Sequence, residues 1–277
     1  MIKSYAKINL SLRILGKKIN KLHDIQSNIL LINLFDEIKI KKINNNKDKI
    51  FFTGPFSEDV NNNKNSISET LKLLRLKKKI KDHYKVSVKK RIPVFSGLGG
   101  GTSNAAFIIK YFIQGKINEK NLKYFENKIG SDLRLFFAKQ SYQKSLRKIE
   151  KYKTNYNFHL IIVYPTLKCS TKKIYSKVKK YSHQSKVNFS KINSKFLFIN
   201  QIRGEKNDLQ SIVEKKSPKV KRLVEYIKLQ KGCYFSRMTG SGSACFGIFH
   251  NQKTARAGLT RIKRKFPNYW SLITKTI

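Results

Sequence analysis

The residues with the clearest chemical meaning form a glycine-rich segment at positions 93–103. Its four glycines remove every Cβ that would obstruct a bulky anion, and they permit the positive φ angles that let successive backbone N–H groups converge. A strand is predicted before the segment and a helix after it, so the helix N-terminus would add unpaired N–H groups and the positive end of a dipole. The segment therefore favours phosphate binding over its alternative, a flexible turn. Its members are Pro93, Val94, Phe95, Ser96, Gly97, Leu98, Gly99, Gly100, Gly101, Thr102 and Ser103.

Two common nucleotide-binding patterns do not describe this segment. No Gly-Lys-Ser/Thr follows its glycines, as a P-loop would require. No acidic residue closes a second strand about 20 residues later, as in dinucleotide-binding folds. Thr102 and Ser103 supply hydroxyls for phosphate oxygens or for a magnesium ion. A second cluster rich in glycine and serine follows at 238–245.

Composition limits the classes of function. The 277 residues include 60 Lys and Arg against 16 Asp and Glu, a net charge of +44, which would attract polyanions such as nucleic acid. Because the lysines are spread along the whole chain among Asn and Ile, we interpret the charge as compositional drift and expect no nucleic-acid partner. The three cysteines lack metal-site spacing, and no apolar run approaches the ~18 residues of a membrane span. We therefore expect a cytoplasmic protein without a membrane partner.

Hydrophobic periodicity predicts a chain of mixed strands and helices. The lysine-rich stretch at 139–157 is the predicted boundary between an N-terminal and a C-terminal half. The predicted strands are 4–14, 25–34, 36–43, 50–53, 84–88, 159–164, 234–239 and 245–249. The predicted helices are 65–76, 103–114, 118–129, 171–181, 218–228 and 253–265.

Three segments together resemble the GHMP kinases (galactokinase, homoserine kinase, mevalonate kinase and phosphomevalonate kinase). The glycine segment resembles their central motif, and the cluster at 238–245 resembles their C-terminal glycine motif. The run Tyr-Ala-Lys-Ile-Asn-Leu at 5–10 resembles the branch that phosphorylates 4-diphosphocytidyl-2-C-methyl-D-erythritol in non-mevalonate isoprenoid biosynthesis. The resemblance implies an α+β, two-domain fold. Residues 1–150 would form an N-terminal domain like ribosomal protein S5 domain 2, and residues 151–277 a ferredoxin-like C-terminal domain.

The resemblance also implies the site residues. ATP and Mg²⁺ are the expected cofactors, bound by the glycine segment with Thr102 or Ser103 near the metal. Asp132 matches the family's general base and Lys7 the lysine paired with it. From the residues alone, Asp132 is better explained as a helix N-cap before an apolar run, and Lys7 as one exposed lysine among many.

The cytidine end of the acceptor is assigned in the same way. Asn9, His23 and Tyr175 match positions that bind the substrate in this branch, with Tyr175 stacking on cytosine and His23 contacting its edge. Without the resemblance, Tyr175 would be a core residue of a helix and His23 a loop histidine. The chain departs from the branch at Leu22, where a tyrosine is usual, and at Arg134, where a proline is usual.

Several alternatives remain open at this stage. They are another GHMP kinase such as homoserine kinase, a basic nucleic-acid-binding protein, and a homologue that binds nucleotide without catalysis, the last suggested by Arg134. The expected assembly is a monomer or a homodimer.

Overall fold

The computed structural model of the chain describes residues 1–19, 22–62, 64–115 and 117–277. The described strands are β1 (Ile2–Lys17), β2 (His23–Ile43), β3 (Lys49–Thr53), β4 (His83–Lys89), β5 (Gln140–Gln143), β6 (Ile149–Lys151), β7 (His159–Tyr164), β8 (Cys233–Met238), β9 (Cys245–Phe249) and β10 (Trp270–Lys275). The described α-helices are α1 (Ser66–Leu76), α2 (Gly100–Phe112), α3 (Glu119–Ile129), α4 (Thr171–Tyr175), α5 (Lys195–Gly204), α6 (Gln210–Lys216), α7 (Pro218–Lys228) and α8 (Gln252–Lys265). Short 3₁₀ helices cover Leu133–Phe137 and Phe189–Lys191.

These elements form two compact units that interleave in the sequence. The first unit comprises Met1–Ala6, Leu34–Val94 and Gly99–Phe137, and the second comprises Lys7–Asn33, Phe95–Leu98 and Ala138–Ile277. The division expected at residue 150 stays a prediction.

In the first unit, helices α1–α3 accompany a small sheet. Strand β3 runs parallel to β4, and β4 pairs antiparallel with residues 37–43 of β2. Alternation places Ile38, Val86 and Val88 in the interior, each at most 1% exposed. Helix α1 is amphipathic and begins with a capping box at Asn65, so its start is fixed by sequence.

The second unit contains the expected ferredoxin-like arrangement. Four antiparallel strands lie side by side in the order β10-β7-β9-β8. In the chain, α7 directly precedes β8 on the way from β7, and α8 connects β9 to β10. This is the β-α-β-β-α-β order of the ferredoxin-like fold, so that expectation is confirmed. Ile161 and Val163 of β7 pack with Val224 and Ile227 of α7 in the core of this unit.

The lysine-rich stretch 139–157 contains β5 and β6, and β5 pairs antiparallel with residues 27–30 of β2. One sequence prediction was wrong in this unit. The helix predicted over 171–181 ends at Tyr175. Lysines spaced four residues apart, such as Lys173 and Lys177, would repel each other along a longer helix. The amide of Ser182 donates to the carbonyl of Ile14 and not to a helical carbonyl four residues earlier.

Candidate active site

The N-terminus of α2 has the features of an anion site, and it lies in the first unit. Gly99 is the N-cap, with a left-handed φ of 75° and no side chain to cap the helix. The first i→i−4 bond runs from the amide of Ser103 to the carbonyl of Gly99, at 2.8 Å. The preceding amides have no helical partner, and no acidic residue occupies the first turn of α2. These residues therefore fit a phosphate group.

Gly101 leaves space at this terminus. A Cβ built on Gly101 would meet its nearest neighbour, the Ser66 hydroxyl oxygen, at 3.7 Å, an ordinary van der Waals distance. A Cβ on Gly100 would instead lie 3.0 Å from Cγ2 of Ile92. A side chain at 100 would therefore require Ile92 to shift, whereas the glycine at 101 has no such structural explanation.

A buried polar network anchors the first turn of α2. The Ser103 hydroxyl is fully buried and donates to the carbonyl of Tyr5 at 2.6 Å. Asn104 donates to Asp36 at 3.0 Å and accepts from the ammonium of Lys90, also at 3.0 Å. Lys90 in turn is paired with Asp36. The Ser103 hydroxyl is thus used within the protein, which leaves Thr102 as the better magnesium candidate of the two.

Residues 95–98 of the glycine segment belong to the second unit and pack on its second glycine motif. The carbonyl of Ser96 accepts from the amide of Ala244 at 3.0 Å. Gly97 has a φ of +82°, and a Cβ there would lie 2.3 Å from the carbonyl oxygen of Thr239. The carbonyl of Leu98 accepts from the amide of Lys7 at 3.0 Å. Gly97 therefore permits close packing of two backbones, which is a different use from that of the glycines in α2.

Lys7 and Asn9 are brought together in the second unit. Lys7 is only 3% exposed, and its ammonium donates to the side-chain carbonyl of Asn9. The Asn9 amide nitrogen donates to the Ser27 hydroxyl at 2.7 Å, and the Asn9 backbone N–H donates to the Thr239 hydroxyl at 2.8 Å. Gly240 is needed beside them, because its φ is +55° and a Cβ there would lie 2.9 Å from the carbonyl oxygen of Gly97. Lys7 is thus a buried lysine and not one more exposed cation.

One residue outside both glycine motifs also holds this arrangement. The Asn207 side chain donates to the carbonyls of Met238 and Gly240, at 2.8 and 2.9 Å. It therefore braces the second glycine motif from outside it. Nothing in the local sequence around Asn207 predicts which turn it supports.

His23 and Tyr175 also meet, although 152 positions separate them. His23 begins β2 and Tyr175 ends α4, and their ring centroids are 5.1 Å apart at an interplanar angle of 41°. Partial burial, and secondarily the charge of Lys17, lowers the pKa of His23 below its ordinary value. The imidazole is therefore neutral at neutral pH and can accept a hydrogen bond as well as donate one. Leu22, beside His23, is 40% exposed.

Asp132 lies in the first unit, between α3 and the 3₁₀ helix Leu133–Phe137. Its carbonyl accepts from the amide of Leu135 at 3.1 Å, so it directly precedes a helical turn. Gly130, two residues earlier, lies near the glycine segment, since a Cβ on it would be 3.9 Å from the Thr102 hydroxyl oxygen. The pairing of Asp132 with Lys7 stays a prediction.

Arg134 has a structural explanation. Its guanidinium is 8% exposed and donates to the carboxylates of Glu126 and Glu119, each at 2.7 Å. These hydrogen bonds raise the pKa of Arg134 above its ordinary value. Arg134 therefore ties the turn after Asp132 to α3.

Comparisons with known proteins identify the family. Residues 65–129 match the model of the GHMP kinase N-terminal domain, and residues 192–268 match that of the GHMP kinase C-terminal domain. A relative from Pelagibacter ubique, named 4-diphosphocytidyl-2-C-methyl-D-erythritol kinase, is 39% identical over 282 residues, covering 100% of this chain and 98% of that protein. The chain belongs to the GHMP kinases. The expected family and kinase class are thereby confirmed.

Solved structures agree on the fold of this GHMP kinase. A 4-(cytidine 5'-diphospho)-2C-methyl-D-erythritol kinase superposes with a TM-score of 0.74 at 19% identity, covering 99% of this chain and 98% of that one. The homoserine kinase of Cytophaga hutchinsonii superposes with a TM-score of 0.70 at 16% identity, covering 100% and 94%. The α+β GHMP fold is therefore confirmed. Across the described residues, no helix has both the length and the apolar character needed to cross a bilayer.

Proposed function

We propose that this GHMP kinase transfers the γ-phosphoryl group of ATP to the 2-hydroxyl of 4-diphosphocytidyl-2-C-methyl-D-erythritol, a step of the non-mevalonate route to isoprenoids. The observation that carries the proposal is the full-length likeness to the P. ubique kinase of that name. The geometry within each unit supports it, because the residues expected to bind phosphate and cytidine have surroundings that suit those tasks.

ATP phosphates are proposed to bind at the N-terminus of α2. The amides of Gly100, Gly101 and Thr102 would donate to phosphate oxygens, and the helix dipole would favour their negative charge. ATP with Mg²⁺ supplies the phosphoryl group and neutralises part of its charge. The Thr102 hydroxyl is the protein oxygen proposed to face the metal, because that of Ser103 is used by Tyr5.

Asp132 and Lys7 are proposed to act on the acceptor hydroxyl. Asp132 would take its proton as general base, and Lys7 would stabilise the negative charge developing on the oxygen. Burial of Lys7 supports this role, because a poorly solvated ammonium interacts more strongly with a nearby anion than an exposed one does. Asn9 is proposed to fix the direction of that ammonium, since it accepts a hydrogen bond from it.

The cytidine end of the acceptor is proposed to bind at His23 and Tyr175. The Tyr175 ring offers a face for stacking, and the neutral imidazole of His23 offers a hydrogen-bond partner for the base edge. Because this end is remote from the reacting hydroxyl, its binding energy can be used to orient the acceptor. Tyr175 would carry more of the stacking here than in relatives with a tyrosine in place of Leu22.

The proposal is tested by product analysis. The purified chain is incubated with ATP, Mg²⁺ and the cytidyl substrate, and ³¹P NMR follows the phosphorus signals. A new phosphomonoester signal coupled to formation of ADP is expected. No new signal with any acceptor would favour a homologue without catalysis, and binding of RNA in place of ATP would favour the nucleic-acid alternative. Magnesium use, a monomeric or dimeric state and a cytoplasmic location stay predictions.

A further inference from the structure

The irregular segment that follows Tyr175 depends on other elements for its position. Residues 176–188, here called the strap, run from the end of α4 to the 3₁₀ helix Phe189–Lys191 without forming a strand or an α-helix. All of it belongs to the second unit. Such a segment is held by its contacts with the rest of the unit and not by its own backbone ladder.

Two of those contacts join the strap to β1. The amide of Ser182 donates to the carbonyl of Ile14 at 2.7 Å. The guanidinium of Arg13 donates to the carbonyl of His183 at 3.3 Å. Consecutive residues of β1 therefore hold consecutive residues of the strap.

A third contact joins the strap to the strand that carries His23. The amide of Ser185 donates to the side-chain oxygen of Gln26 at 2.8 Å, and Gln26 is only 3% exposed. A buried amide side chain has few rotamers available, so this tether has a defined position.

Charged hydrogen bonds complete the attachment. Arg13 donates to both carboxylate oxygens of Glu205, at 2.6 and 3.0 Å, and the Ser185 hydroxyl donates to the same carboxylate at 3.0 Å. Glu205 is 6% exposed, so this two-point pair is largely shielded from water. Paired, charge-assisted bonds of this kind add geometric specificity as well as strength.

These tethers close a ring of contacts around the proposed cytidine site. Gln26 lies three residues after His23 on β2, and Ser185 lies ten residues after Tyr175. The ring is completed by the contact of the His23 and Tyr175 side chains. The strap is therefore joined through the chain to Tyr175 and through a hydrogen bond to the strand that carries His23.

We propose that Arg13, Gln26 and Glu205 are positioning residues, which hold the strap on β1 and β2 and so fix the Tyr175 ring against His23 for recognition of the acceptor's base. This inference rests on the proposed function, because it assumes that Tyr175 stacks on the base. None of the three residues needs to touch the acceptor.

The test replaces the ion pair without leaving a buried charge unpaired. Removing Arg13 alone would strand the Glu205 carboxylate and endanger folding. The double variant Arg13→Met/Glu205→Leu avoids this. We expect its KM for the cytidyl substrate to rise about tenfold, on the scale of a lost base–aromatic stack, with kcat and the KM for ATP little changed. The variant Lys221→Met, which removes an exposed pair with Glu225 on α7, is the matched control and should change none of these constants.

A thermodynamic cycle with Tyr175→Ala separates the inference from the proposed function. If the strap acts through Tyr175, adding the double variant to Tyr175→Ala should raise KM little further. Arg13→Lys keeps the positive charge but loses the two-point hydrogen bond of the guanidinium, so it should raise KM less than the double variant does. Additive effects would overturn the positioning role while leaving the cytidine site in place. A Tyr175→Ala enzyme with wild-type KM would overturn the proposed site itself.

Limited proteolysis gives a readout that needs no activity. The strap carries Lys177, Lys179, Lys180 and Lys186, which are trypsin sites. The double variant should be cut within 177–186 earlier than wild type or Lys221→Met, as followed by mass spectrometry of the fragments. Equal cleavage rates would contradict the claim that the pair holds the strap.

Discussion

Replacing Gly101 should separate ATP binding from stability. A Cβ on a helix points toward the N-terminus, so a methyl group at 101 would project toward the proposed phosphate. The nearest atom to that Cβ outside the adjoining helix backbone is 3.7 Å away, so the fold has room for it. Alanine also has a higher helix propensity than glycine, which should stabilise the protein by about 0.5 kcal/mol in this first turn. Gly101→Ala should therefore fold at least as well as wild type.

Gly101→Ala is expected to raise thermal stability slightly and to weaken ATP binding. For a chain of this size, ~0.5 kcal/mol raises Tm by only about 1 °C. A phosphate displaced from the amides should raise the KM for ATP about tenfold, equivalent to about 1.4 kcal/mol. The assay is ADP release at saturating acceptor with varied ATP, together with a thermal melt of the same sample. Gly101→Val should show a larger loss of affinity.

A matched control distinguishes this effect from a general effect of glycine replacement. Gly204 ends α5, and nothing lies within 4 Å of a Cβ built on it. Gly204→Ala should therefore alter neither the KM for ATP nor Tm appreciably. If Gly101→Ala binds ATP as wild type does, the phosphates do not approach the N-terminus of α2 and the reasoning is refuted.

Three further outcomes are expected. Asp132→Asn should lower kcat by at least ~100-fold while both KM values are retained. Glu225→Gln, which changes an exposed acid, is the control and should leave kcat unchanged. A loss in kcat of less than tenfold would mean that Asp132 acts only as a helix cap. Lys7→Met should also act on kcat and not on the KM for ATP, as judged by initial rates, and a pure KM effect would argue against charge stabilisation. Because burial lowers the pKa of His23 below 6.5, the KM for the cytidyl substrate should stay flat above that pH and rise on acidification, as the imidazole gains a proton and loses its acceptor. His23→Gln should flatten the profile, and an unchanged profile would exclude His23 from base recognition.

The helices and strands with strong periodicity could be predicted from the sequence, but the start of α2 could not. The helix was expected from residue 103, whereas it begins at Gly100. Three successive glycines carry no apolar period and have poor helix propensity, so nothing local indicates that they begin a helix. The turn is supported by Ser103 and Asn104, whose partners are distant in sequence.

Polar side chains and long-range contacts account for the other elements and contacts that were not predicted from the sequence. Strand β5, with the sequence Gln-Ser-Tyr-Gln, is buried throughout but has no hydrophobic alternation. The side-chain amides of Gln140 and Gln143 donate to the carbonyls of Tyr156 and Leu146, contacts that no local pattern predicts. The buried pair of Lys90 and Asp36 was also missed, since single charges in a lysine-rich chain do not stand out. The meeting of His23 with Tyr175 followed only from family resemblance, because residues 152 positions apart share no local pattern.

The central claim is tested most directly by comparing acceptors in a single assay of the wild-type chain. ADP release is measured with ATP and Mg²⁺ in the presence of 4-diphosphocytidyl-2-C-methyl-D-erythritol, homoserine or mevalonate at equal concentrations. The proposed function predicts ADP release well above background with the cytidyl substrate alone. Turnover with homoserine or mevalonate and none with the cytidyl substrate would contradict it.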